Sequence, residues 1–143
     1  MGSILARWLG VLLLVCPAAC SSPTEPAPMG YNGEWAGTTA QGTPVTFTVS
    51  NDQVSAFTLA FNFSSTCSGT ETIPGSVAIV TQVPPGPPPF DQPGFAMGKN
   101  GGSWGIAASG AFSPDRRSAS GEFQLVRYPN CGTLNLRWSA KRR

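Results

Sequence analysis

The sequence predicts an all-β fold: a single small antiparallel β-barrel or β-sandwich of about seven to eight strands with one disulfide. Three observations predict it. Apolar and polar residues alternate with a period of two through most of the chain after Tyr31. Turn formers, drawn from 17 glycines and 14 prolines, separate the alternating runs. Beyond the N-terminal segment, no window has the spacing of an amphipathic helix.

The first strand is expected at residues 34–39. In "VTFTVS", Val45, Phe47 and Val49 point one way, while Thr46, Thr48 and Ser50 point the other. The tetrapeptide "SNDQ" is a hairpin turn leading into "VSAFTLAFNF", where Phe57, Leu59, Phe61 and Phe63 share a face. Further strands are expected at residues 76–83, 103–112 and 119–128, with a short one near Thr70 or near Phe95. "SPDRRS" is a second hairpin turn, its backbone preset by Pro114. In "TLNLRWSA", Leu134, Leu136, Trp138 and Ala140 alternate with Asn135, Arg137 and Ser139.

A glycine stands two residues before an aromatic at Gly33-x-Trp35, Gly110-x-Phe112 and Gly121-x-Phe123. The two side chains then share a face, and bare backbone there permits sharp bending or lets a ring lie over it. Such bending closes sheets and favours a barrel. Gly33-x-Trp35 on the first strand, with Arg137 and Trp138 on the last, resembles the calycin barrels, such as lipocalins and avidins. The resemblance implies a barrel-closing core of Gly33, Trp35 and Trp138, with a basic or aromatic residue of the last strand packed near the first. A small barrel is just wide enough to be filled by its own side chains or to hold one small ligand. The expected inward set includes Trp35, Phe47, Phe57, Phe61, Trp104, Phe112, Phe123 and Trp138, enough large rings to plug it.

The domain organisation is set by the N-terminus. Arg7 and the amino terminus precede an apolar run, residues 8–16, too short to span a bilayer as a helix of about 20 residues. This reads as a signal peptide, residues 1–19. The stretch "PAAC" resembles the lipobox of bacterial lipoproteins, where small residues precede a cysteine that is acylated and becomes the new N-terminus. Ala18, Ala19 and Cys20 carry the likeness; Pro17 stands where Leu or Val is usual. It implies lipidation at Cys20 and a membrane anchor and, if the cell is Gram-negative, an outer-membrane location because Ser21 follows the cysteine. Ordinary cleavage after Ala18 or Ala19 would instead release a secreted protein. Residues 20–30 then form a Ser/Thr/Pro tether, extended by about 3 Å per residue, and residues 31–143 the β domain.

Exported proteins bridge paired cysteines, so Cys67 and Cys131 are expected to form the disulfide. Neither belongs to a Cys-x-x-Cys redox motif. The chain has no histidine, and a net charge of +2 with 11% charged residues gives no field for nucleic acid. "GGSWG" matches Gly-x-Ser-x-Gly in letters, but a nucleophile elbow needs a strand-to-helix turn and a histidine. Glu34, Asp52, Glu71, Asp91, Asp115 and Glu122 are scattered, with no spacing suited to zinc or calcium. No cofactor or metal is expected.

The segment "VPPGPPPFDQP", residues 83–93, reads as a stiff excursion between strands. Pro87, Pro88, Pro89 and Phe90 form a possible binding loop. The function expected is a non-enzymatic cell-envelope lipoprotein that binds an envelope protein or polymer through surface loops. A calycin-like carrier of a small apolar ligand is the alternative. A secreted protease-inhibitor-like or hydrolytic domain is a second alternative.

Overall fold

The computed structural model describes residues 30–81 and 92–143, and every described element is a strand or a turn. The strands are β1 (Gly33–Thr39), β2 (Pro44–Ser50), β3 (Gln53–Ser64), β4 (Cys67–Ala78), β5 (Val80–Thr81), β6 (Pro93–Asn100), β7 (Gly105–Phe112), β8 (Ser118–Tyr128) and β9 (Gly132–Arg142). They form one antiparallel sheet in the order β4-β3-β2-β1-β9-β8-β7-β6-β5. Nine strands replace the expected seven or eight. The segment near Thr70 and the one near Phe95 are both strands, and the strand expected at residues 76–83 is divided at Ile79.

That division explains the shape. β4 and β5 stand at opposite edges of the sheet, yet only Ile79 separates them along the chain. The hydrogen-bond ladder is not closed, but the sheet rolls until its edges are continuous through the backbone. Ile79 N–H donates to Asp52 C=O at 2.8 Å, fixing the crossing against the β2–β3 turn. Gly30, the β2–β3 and β7–β8 turns, and Arg143 lie at this near end. The β1–β2, β3–β4, β6–β7 and β8–β9 turns occupy the far end.

Close backbone approach permits the rolling. A Cβ on Gly37 would sit 1.9 Å from the Ser139 carbonyl oxygen, and one on Gly121 1.9 Å from that of Ser109. At Gly110, a Cβ would meet the Trp138 ring at 2.5 Å, so this indole lies over bare backbone. In β3 the register slips between Ser55 and Phe57, and Ala56 takes a φ of 52°. The slip turns both Val54 and Phe57 inward, which strict alternation forbids for residues three apart.

Rings from both halves of the rolled sheet meet in the middle. Phe47 of β2 lies 5.7 Å from Phe95 of β6 and 5.7 Å from Trp138 of β9, with Phe112 of β7 at 6.3 Å. Trp35 stacks on Phe47 at 5.6 Å and meets Phe112 edge-on at 5.0 Å. A second layer toward the far end joins Phe61 to Phe123 at 6.4 Å and to Tyr128 at 5.7 Å. Such tilted and T-shaped pairs suit ring quadrupoles, and each fully buried ring stabilises the fold by about 1.5–3 kcal/mol.

Of the expected inward set, only Trp104 departs. It precedes β7, in the β6–β7 turn, and is half-buried at the far rim. Arg137 also departs from the calycin-like expectation: its side chain faces outward, 3.8 Å from Glu122. The basic residue of the last strand that covers Gly33 is Arg142, whose guanidinium also donates to Gly30 C=O at 3.2 Å.

Candidate functional site

The lumen is the first place to look, and it is occupied by side chains. Trp35, Phe57, Phe95, Phe112 and Phe123 are all fully buried there. Trp138 Nε1 is buried without a hydrogen-bond partner among the described residues. Phe47 and Phe57 stand T-shaped to this indole at 5.7 and 5.4 Å. The three residues of the calycin-like pattern thus separate into roles. Trp35 and Trp138 fill the interior, whereas Gly33, with a φ of 139°, gives Arg142 its passage at the near end.

The disulfide expected between Cys67 and Cys131 is formed, with the two Cα atoms 5.0 Å apart. It joins the start of β4 to the β8–β9 turn, tying one edge of the sheet to its middle at the far end. Buried Cys67 and the surrounding apolar packing give it a structural role. Cys20, Pro87, Pro88, Pro89 and Phe90 lie outside the described residues.

The far end also carries a polar cluster. Along β4, Cys67, Glu71 and Ile73 share the inward face, so the Glu71 carboxylate points toward the lumen rim. Tyr128 Oη donates to Glu71 Oε1. Lys99 Nζ stands 3.4 Å from Glu71 Oε2, with the glutamate side chain only 16% exposed. This bridge links β4 to β6 where no ladder joins them. An inward charge on an edge strand also discourages pairing with another chain. Its bond to Glu71, with some loss of hydration, pushes the Tyr128 phenol up to about 12, so Tyr128 remains a neutral donor.

Trp104 completes the cluster. Its ring lies 5.2 Å from Tyr128, edge to face, and Lys99 Nζ lies 5.6 Å above it. Beside it runs a groove of about 480 Å³ lined by Lys99, Asn100, Ser103, Trp104, Val126 and Arg127, among others. The Gly-x-Ser-x-Gly letters, residues 101–105, span the β6–β7 turn and the first residue of β7, a strand-to-strand connection rather than an elbow. The other carboxylates with described partners are dispersed. Glu122 faces Arg137 outside, and Asp115 accepts from Ser113 Oγ and Arg117 N–H in the β7–β8 turn, which lowers its pKa.

No protein-family model, curated protein or solved structure matches this chain. The functional reading therefore rests on the residues alone. By spacing alone, Glu71 reads as one isolated carboxylate among the six of residues 31–143. The usable signal was parity: Glu71 alternates in phase with Cys67 and Ile73, and a charge on an inward face requires partners.

Proposed function

We propose that this protein is a non-enzymatic binding module of the cell envelope, anchored by lipid at Cys20 and contacting an envelope protein or polymer through its outer surface. The observation that carries this reading is the ring-filled interior. Rings of β2 and β3 touch rings of β6, β7 and β9, so the space in which a carrier of its kind would hold an apolar ligand is taken. That favours exterior binding over the calycin-like carrier. A non-enzymatic role is supported by the lack of histidine and by the separate partners of Glu71, Asp115 and Glu122.

The position of the chain ends supports the tethered arrangement. Gly30 stands at the near end, so a chain leading back to Cys20 leaves the domain there. The end of β5 and the start of β6 both lie at the near end.

Intact mass spectrometry of native protein tests the anchor, and capture of envelope fragments by the purified protein tests the binding. The expected result is a chain that starts at an acylated Cys20 and retains envelope polymer or protein. An unacylated start elsewhere contradicts the anchor. An apolar molecule extracted stoichiometrically from the folded protein contradicts exterior binding.

A further inference from the structure

The far-end groove has a composition that points to a ligand class. Its lining holds two cations, Lys99 and Arg127, and no carboxylate. Lys99 is paired with Glu71, which also accepts from Tyr128, so Arg127 is the lining cation that no described carboxylate engages. Arg127 is placed by a departure from regular backbone. β8 gains one residue against β9 between Leu125 and Tyr128, and Arg127 takes a φ of 50°. Bulges of this kind re-aim side chains, and a positive φ at a non-glycine residue concentrates where a site needs it. Thr133 Oγ1 accepts from Arg127 N–H at 3.1 Å and holds the bulge.

The neutral lining is suited to a sugar. Asn100 Oδ1 accepts from Gly102 N–H at 3.0 Å, its amide NH₂ has no described partner, and Ser103 is exposed nearby in the chain. The indole of Trp104 and the exposed Val126 offer apolar surface for the C–H groups of a pyranose ring. An extended peptide fits less well, because β7 is paired on both sides along the groove and offers no free edge for strand addition.

We infer that this groove binds a carboxylate-bearing glycan, with Arg127 on the carboxylate, Asn100 and Ser103 on hydroxyls, and Trp104 against the ring. This names the polymer for the function proposed above and rests on that reading.

The test is a fluorescence titration of the protein processed at Cys20 with an oligogalacturonate. Trp35 and Trp138 are 1% and 3% exposed, so among the described tryptophans a change reports Trp104. The expected result is saturable quenching that weakens with salt and is absent for a maltooligosaccharide of equal length. Arg127→Gly, which suits the backbone of the bulge, should weaken binding roughly tenfold or more through loss of charge-assisted hydrogen bonds. Equal binding of the neutral sugar, tighter binding of oligoglutamate, or unchanged affinity in Arg127→Gly overturns the inference. If Arg127→Gly still captures envelope material as the parent does, this site alone is refuted; if the parent captures none, the reading beneath it falls as well.

Discussion

The ring centroids of Phe57 and Phe95 lie 6.0 Å apart, although β3 and β6 are separated by six steps in the sheet order. On a flat sheet six steps span about 29 Å, at some 4.8 Å per strand. The contact is therefore a consequence of rolling, and every ring in the lumen depends on it.

Phe57→Ala should lower stability by about 3–5 kcal/mol, because Phe57 is fully buried and touches rings from opposite walls. Urea unfolding measures it. A loss below about 1 kcal/mol would mean that the rings do not share one packed interior.

Gly121→Ala tests the close backbone approach. The added Cβ would meet the Ser109 carbonyl oxygen at 1.9 Å, and strands cannot part without breaking the ladder. A cost of about 3 kcal/mol or more is expected. Gly102→Ala is the control: its φ of 89° strains the backbone, but open space surrounds it, so about 1–2 kcal/mol is expected. Thermal denaturation should rank the two in that order.

Cys67 and Cys131 are 64 residues apart, and in the chain-entropy model a loop of that size is worth roughly 4 kcal/mol. The double substitution to alanine should lose about 2–5 kcal/mol while retaining the far-ultraviolet signature of the sheet. Loss of the β signature itself would assign the bridge a larger part in specifying the fold.

Tyr128 should titrate far above an ordinary tyrosine. In a Tyr31→Phe background it is the sole tyrosine, and its phenolate absorbance should appear with a midpoint of about 12. Because the folded value lies above an unfolded value of about 10, its stabilising contribution is intact below about pH 10 and fades as pH rises toward 12. Glu71→Gln removes the carboxylate acceptor and should return the midpoint toward the ordinary range. A parent midpoint near 10 would show that the Tyr128–Glu71 bond is absent in solution.

Much of the fold was legible because alternation is a local signal. Val45, Phe47 and Val49 face inward as their spacing requires, as do Leu136, Trp138 and Ala140. What remained illegible depends on distant partners. The turn at Ile79 looks like ordinary strand sequence, and only the pairing of β5 with β6 sets it apart from β4. Trp104 looks inward by composition, yet a turn closed by Gly101 N–H on its own carbonyl puts it at the rim. At the Arg127 bulge the alternation breaks at the adjacent apolar residues Leu125 and Val126, and only the pairing with β9 settles which of them faces inward. Arg142, rather than Arg137, covers Gly33 because β9 pairs Arg142 with Trp35.

Nuclear Overhauser contacts between assigned aromatic rings test the filled interior most directly. Cross-peaks from the Phe57 ring to both Phe95 and Trp138 are predicted, since their centroids lie 6.0 and 5.4 Å away. Absence of both, with an ordered apolar molecule between those walls, would contradict the account.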